Sequence, residues 1–303
     1  MGFNEMINVD TNIAVFSKIK RCLIKLFMVQ CLLGIIAVPV NAQIAFSPTI
    51  LFLDEEEPVK ELVVRNVTDT PQEVEFVDRF GYPTRLSSGQ LKMVYDDSIK
   101  SETYSLSGKL RIFPKKILIP PQSQQIVRLK VEMKENDQDQ VYWSRIGIQS
   151  SPANKTVGDK YSASAEAPAI SYLFRQNMGV YYKQGTVNTG VKIQGVYVDW
   201  DVRKNHQRLM IAASRTGNSP YLGIMTVHLT NQEGRIVLKS EQVINLFFNS
   251  TFPVLIDQEA VGTGLYRVDI TFETARGDIP SDQLTISPAQ HYSEELFIKK
   301  QAD

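Results

Sequence analysis

Short runs in which apolar and polar residues alternate fill the chain after residue 43, and this period buries one face of a β-strand. Clear examples are residues 60–66, 72–80, 124–133, 141–149 and 224–230. Clusters of Asn, Asp, Gly, Pro and Ser bound the runs, and no stretch keeps a helical period over several turns. The pattern therefore predicts an all-β chain.

The spacing and length of these runs predict how the chain is divided. Short strands joined by turn-rich connections are typical of immunoglobulin-like β-sandwiches. A chain of 303 residues exceeds the roughly 250 residues at which one core tends to split in two. A polar, glycine-containing stretch follows a long strand-like segment near residue 185. We therefore predict two tandem immunoglobulin-like β-sandwich domains, residues 43–185 and 186–303, after a separate segment 1–42.

Residues 1–42 have the layout of a secretory signal peptide. Basic residues precede an apolar run over 26–40, and small or aliphatic residues come before Gln43. The alternative is a retained membrane anchor, but a span needs about 20 apolar residues and this run is shorter. Cys22 and Cys31 both lie in this segment, so cleavage after Ala42 would leave no cysteine for disulfides or thiol chemistry.

The composition argues against several classes of function. Lys and Arg number 33 and Asp and Glu also 33, so the chain lacks the basic excess expected of a nucleic-acid-binding protein. His206, His228 and His291 stand apart, without metal-type spacing. No nucleophile elbow, phosphate loop or dinucleotide fingerprint occurs. We therefore predict no enzyme activity, metal, cofactor or small-molecule substrate. The acidic run 54–57 is expected to form a solvated turn.

Residues 168–183 (PAISYLFRQNMGVYYK) are the most informative segment. One face of an extended chain would carry a long, largely apolar series: Ile170, Tyr172, Phe174, Gln176, Met178, Val180 and Tyr182. Two interpretations remain open at this point. The segment is either a core strand whose apolar face fills a sandwich, or an edge strand that lends apolar side chains to a partner by strand addition.

Several segments taken together resemble a known family. They are 44–53 (IAFSPTILFL), 61–71 (ELVVRNVTDTP), 111–130 (RIFPKKILIPPQSQQIVRLK), 141–148 (VYWSRIGI), the segment 168–183, and 209–222 (LMIAASRTGNSPYL). In this order they are similar to periplasmic pilus-assembly chaperones of the chaperone/usher type, the PapD-like family. The resemblance covers nearly all of the chain after the predicted signal peptide.

The resemblance implies a fold, a function and partners. Two immunoglobulin-like domains would bind pilus or fimbrial subunits in the periplasm by donor-strand complementation and deliver them to an outer-membrane usher. The donor side chains would be Ile170, Tyr172 and Phe174, and Met178 and Val180 continue the same face toward a subunit. A self-capping dimer is expected when no subunit is bound.

The chain departs from the family at its carboxylate anchor. In the family, an arginine of the first strand and a lysine late in the long strand hold the terminal carboxylate of the subunit. The matching positions here are Ile50 and Gly179, whose side chains cannot bind an anion. Arg175 and Lys183 are the candidate substitutes. The competing interpretations are a solvated strand residue for Arg175 and an ion pair with Asp139 for Lys183.

A different class of function also remains. An exported structural or adhesive protein could be built from the same immunoglobulin-like modules, since this fold carries many unrelated roles. Such a protein would expose no subunit-binding edge. A secreted hydrolase is a third alternative, and the sequence offers no catalytic constellation for it.

Overall fold

The computed structural model describes residues 44–153, 173–201 and 206–299. Gln43–Asp303 form one compact unit. The described residues form eighteen strands and a single short helix, which confirms the all-β prediction. None of their helices is long and apolar enough to cross a membrane. The predicted signal peptide, residues 1–42, lies outside the described residues.

The N-terminal sandwich is built from two sheets. One has the strand order β1-β3-β9-β7 and the other β2-β11-β10-β4-β8. The strands are β1 (Ile44–Ser47), β2 (Ile50–Leu53), β3 (Val59–Asn66), β4 (Gln72–Arg79), β7 (Leu110–Phe113), β8 (Lys116–Ile119), β9 (Gln124–Val131), β10 (Gln140–Pro152) and β11 (Phe174–Gln184).

Alternation along these strands places their apolar residues in one core between the two sheets. Leu62 and Val64 of β3, Leu129 of β9 and Ile146 of β10 are completely buried there. The acidic run 54–57 forms the exposed turn between β2 and β3, where the Asp54 carboxylate accepts hydrogen bonds from the backbone N–H groups of Glu56 and Glu57.

A hairpin and a helix lie between β4 and β7. The hairpin consists of β5 (Tyr82–Arg85) and β6 (Leu91–Val94), and the helix α1 spans Ser98–Tyr104. Asp97 caps the helix by accepting a hydrogen bond from the backbone N–H of Lys100. Periodicity did not predict this helix, because seven residues make only two turns.

The C-terminal sandwich also has two sheets, with strand orders β12-β13-β16 and β15-β14-β17-β18. Its strands are β12 (Thr189–Asp201), β13 (His206–Gly217), β14 (Tyr221–Thr230), β15 (Ile236–Leu246), β16 (Asn249–Leu255), β17 (Gly264–Glu273) and β18 (Gln290–Ile298). Its separate core includes Leu209, Val227, Leu246 and Val268. His228 alternates with buried Val227 and Leu229, as expected for a residue on the outer face of the sheet.

Candidate functional site: the open edge of β11

Strand β11 changes from an edge strand to an inner strand along its length. Over its whole length it pairs antiparallel with β10, from Phe174 opposite Ser150 to Gln184 opposite Gln140. Strand β2 pairs with its other side in parallel, but only from Gly179 to Tyr182. Residues 174–178 therefore have no described strand on that side. We call this five-residue stretch the open edge.

The two interpretations of segment 168–183 each fit a different half of β11. From Gly179 onward the strand lies between β2 and β10, as a core strand does. Over residues 174–178 it has no described neighbour on one side, as an edge strand does, and its outward backbone groups there can pair with a further strand.

The predicted contact residues differ in exposure along β11. Phe174 is 38% exposed and its neighbour Leu173 is 53% exposed. Met178 and Val180 are 1% and 0% exposed, because they pack in the core of the N-terminal sandwich. That burial leaves them no surface for a partner, so neither is retained as a contact residue. Ile170 and Tyr172 lie outside the described residues.

The two candidate cations lie in different surroundings. Arg175 is an exposed residue of the open edge and forms no ion pair with a described residue, in agreement with a solvated side chain. Lys183 lines a cavity of about 140 Å³ between the sandwiches. Three acidic residues, Asp54, Glu57 and Asp282, outnumber Lys183 and Lys60 in the lining of the same cavity and disfavour a bound carboxylate.

The expected pairing of Lys183 with Asp139 is absent among the described residues. Asp139 instead accepts a hydrogen bond from the backbone N–H of Thr186. Lys183 is therefore held neither by that ion pair nor in a site suited to an anion.

Where the open edge meets β2, four residues form a row across the outer face of the sheet. Gly179 lies between Ile50 of β2 and Arg145 of β10, and Arg145 lies beside Arg79 of β4. The ring of Tyr181 covers Gly179, and a Cβ there would come within 3.0 Å of the Tyr181 Cε2 atom. A longer side chain at 179 would have to displace this ring, so Tyr181 explains why glycine occupies the position.

Arg145 is the residue that the sequence analysis missed. It is partly buried, its Nε atom is buried without a hydrogen-bond partner, and it forms no ion pair with a described residue. Burial raises the pKa of the Tyr181 hydroxyl, while the positive charges of Arg145 and Arg276 oppose that rise. Arg145 pairs with Gly179, which the Tyr181 ring covers, so the two side chains lie on the same face of the sheet. In the sequence, the available signal for Arg145 was its position two residues after Trp143 in segment 141–148, which puts both residues on one face of a strand.

The site has the properties of a polypeptide-binding edge. The open edge offers main-chain hydrogen bonds, and Phe174 offers apolar area. Arg145 offers a positive charge at the end of the open edge, beside Gly179, where β2 begins to pair with β11. Among the described residues no group of three or more His, Cys, Asp or Glu side chains could hold a metal ion.

No protein-family model matches the chain, and no curated protein matches it. Several solved structures are similar. The YadV chaperone is 10% identical, with 84% of this chain and 100% of that one covered and a TM-score of 0.44. The Pseudomonas aeruginosa CupB2 chaperone is 12% identical, with 83% and 100% covered and a TM-score of 0.38.

A chain from the structure of Salmonella enterica SafA pilin in complex with the SafB chaperone is 10% identical. The match covers 84% of this chain and 98% of that one, with a TM-score of 0.40. Similarity at this level gives no residue of this chain a role. The role of each residue is therefore argued from its own contacts.

Proposed function

We propose that this protein is a periplasmic chaperone that holds pilus or fimbrial subunits by strand addition along the open edge of β11. It would then pass them to an outer-membrane usher. The observation that carries the proposal is the open edge itself: residues 174–178 pair with β10 on one side and with no described strand on the other. The ordered sequence resemblance over the chain after residue 43 supports the same function.

The side chains at this edge suit an apolar groove in the partner. Phe174 is on the face that Met178 and Val180 use inside the sandwich, but it is exposed. Ile170 and Tyr172 are predicted to continue that face. Burying each large apolar side chain contributes about 1.5–3 kcal/mol, so three of them would supply a large share of the binding free energy.

A strand added to the open edge would meet β2 beside Gly179, where Ile50 already occupies the edge. Its end would lie near the row that contains Gly179 and Arg145. A guanidinium without a counter-ion in a partly buried position gains most from a carboxylate, which it can bind in a bidentate way. We therefore assign the carboxylate anchor of this chain to Arg145, in place of Arg175 or Lys183.

The first experiment is co-purification of the tagged full chain from a periplasmic extract of its host. We expect a secreted β-rich subunit at about a one-to-one ratio, and its loss from the Phe174→Asp variant, because a charge enters an apolar groove only at a large desolvation cost. Phe113→Asp is the matched control, since Phe113 is an exposed phenylalanine (75%) on the distant strand β7. Capture by both variants, or by neither, would contradict the proposal.

The anchor is tested separately with Arg145→Met and the control Arg128→Met, which removes an exposed arginine paired with Glu61. We expect Arg145→Met to weaken capture at least tenfold and Arg128→Met to leave it unchanged. A subunit whose terminal carboxylate is amidated should bind parent and Arg145→Met equally. Equal capture of the unmodified subunit by the parent, Arg145→Met and Arg128→Met would show that Arg145 does not bind the carboxylate. It would not contradict strand addition at the open edge.

A further inference from the structure

Two adjacent phenylalanines of the C-terminal sandwich pack against a cluster of aromatic side chains of the N-terminal sandwich. We call this cluster, which consists of Tyr82, Tyr104, Trp143 and Tyr181, the socket. Phe247 and Phe248 make up the two-residue connection between β15 and β16. The Phe247 ring centroid lies 5.0 Å from that of Trp143 and 6.2 Å from that of Tyr181. The Phe248 centroid lies 4.8 Å from that of Tyr82 and 5.3 Å from that of Tyr104.

This contact is buried like a domain core. Phe247 and Trp143 are each 1% exposed, and Leu222, Ile279 and Leu284 of the C-terminal sandwich join the same cluster. Connections between strands normally lie at the surface and are polar. Here both phenylalanines of the connection pack against the N-terminal sandwich instead of lying in solvent.

The segment of residues 80–104, which contains the β5–β6 hairpin and helix α1, adds polar contacts around the socket. We call it the strap. The Thr84 hydroxyl donates to the Asn249 carbonyl at 2.7 Å, and the backbone N–H of Arg85 donates to the Ser250 hydroxyl at 3.2 Å. Arg208 donates to the Ser88 carbonyl at 3.0 Å.

Helix α1, at the C-terminal end of the strap, also contacts the C-terminal sandwich. Arg215 donates to the Tyr104 hydroxyl at 3.2 Å, and the Lys100 ammonium lies 4.5 Å from the centroid of the Phe248 ring. Within the strap, the Tyr82 hydroxyl donates to the Asp97 carboxylate at 2.7 Å, which ties the hairpin to the start of α1. Both strap elements therefore contact Phe248, through Tyr82 of the hairpin and through Lys100 and Tyr104 of α1.

We propose that the strap and the phenylalanine pair lock the two sandwiches into one rigid body, so that the angle between them is fixed before any partner arrives. Interfaces between domains of one chain are usually polar and permit relative motion unless they are large and hydrophobic, and this one is aromatic and fully buried at its centre. The lock is a preorganising device, because a binder that is already in its bound shape loses little freedom on association. It does not depend on the proposed chaperone function.

The distance between the sandwiches tests the lock directly. Spin labels are placed at Gln124→Cys and Glu295→Cys, two exposed positions on different sandwiches, in the full chain with Cys22 and Cys31 replaced by serine. Double electron–electron resonance should give one narrow distance distribution in the free protein. A broad or two-peaked distribution in the parent would overturn the proposal.

Two variants identify the cause of the rigidity. Phe247→Ala with Phe248→Ala should broaden the distribution while the circular dichroism of the strands is retained, and Phe297→Ala, an exposed phenylalanine (62%) elsewhere on the C-terminal sandwich, should leave it narrow. If the double variant does not fold, Thr84→Val with Ser250→Ala removes two strap hydrogen bonds without a cavity, and should also broaden the distribution. An unchanged narrow distribution in every folded variant would show that neither element is the lock.

Discussion

At the scale of single residues, Tyr181 explains why position 179 of β11 is a glycine and carries no long side chain. The Tyr181 ring occupies the space over Gly179 on the outer face of the sheet. The sequence resemblance located the position but could not show what fills it, because the ring comes from two residues further along the same strand. In the same way, only the strand register brings Arg145 beside Gly179.

Replacement of Gly179 by alanine should reduce stability. A Cβ there lies 3.0 Å from Tyr181 Cε2, so the ring must move, and overpacking of this kind costs about 1–3 kcal/mol. The free energy of unfolding is measured by urea denaturation. Gly147→Ala is the matched control on the neighbouring strand, where the nearest atom to a new Cβ is 3.7 Å away. Equal effects of the two substitutions would contradict the crowding argument.

The raised pKa of the buried Asp78 carboxyl group predicts that this residue lowers the stability of the protein as the pH rises. Burial raises the pKa of its carboxyl group, and the buried Oδ1 atom has no hydrogen-bond partner among the described residues. The folded state therefore binds the proton more tightly than the unfolded state, so this group costs stability as the pH rises from about 3.9 through the raised pKa. Asp78→Asn should raise the free energy of unfolding at pH 7 and give no gain below pH 4. A gain that is independent of pH would contradict this origin.

At the scale of secondary structure, alternation predicted the strands but not which of their edges would remain unpaired. Strands β3, β4, β9, β10 and β14 follow the predicted runs within a few residues. Whether β11 is a core or an edge strand depends on where β2 ends, and β2 contributes only four residue pairs. Pairing between strands distant in sequence is not encoded in the period of either strand.

Helix α1 should depend on its cap. Asp97 accepts from the backbone N–H of Lys100 and from the Tyr82 hydroxyl, so Asp97→Ala removes both bonds and should cost about 0.5–2 kcal/mol. Asp97→Asn retains an oxygen that can cap the helix and should cost less. Thermal unfolding of the two variants measures the difference. Equal melting temperatures for the alanine variant and the parent would contradict the role of the cap.

At the scale of the whole molecule, the sequence predicted two sandwiches, but it gave no sign of the aromatic interface between them. The residues of that interface belong to segments far apart in the chain, from Phe80 to Leu284, and each is unremarkable in its own run. The interface also buries the outer face of β11 at Tyr181. A partner strand is therefore left with residues 174–178 and the chain before them.

Hydrogen–deuterium exchange at the open edge tests the central claim most directly. The full chain is compared alone and with its co-purified polypeptide, and amide exchange is followed across β11 and the distant strand β3. Strand addition predicts that outward-facing amides within residues 174–178 become protected, because they gain main-chain partners. Exchange of β3, which is paired on both sides by β1 and β9, should not change. Unchanged exchange at residues 174–178 in a complex that stays intact would contradict strand addition at β11.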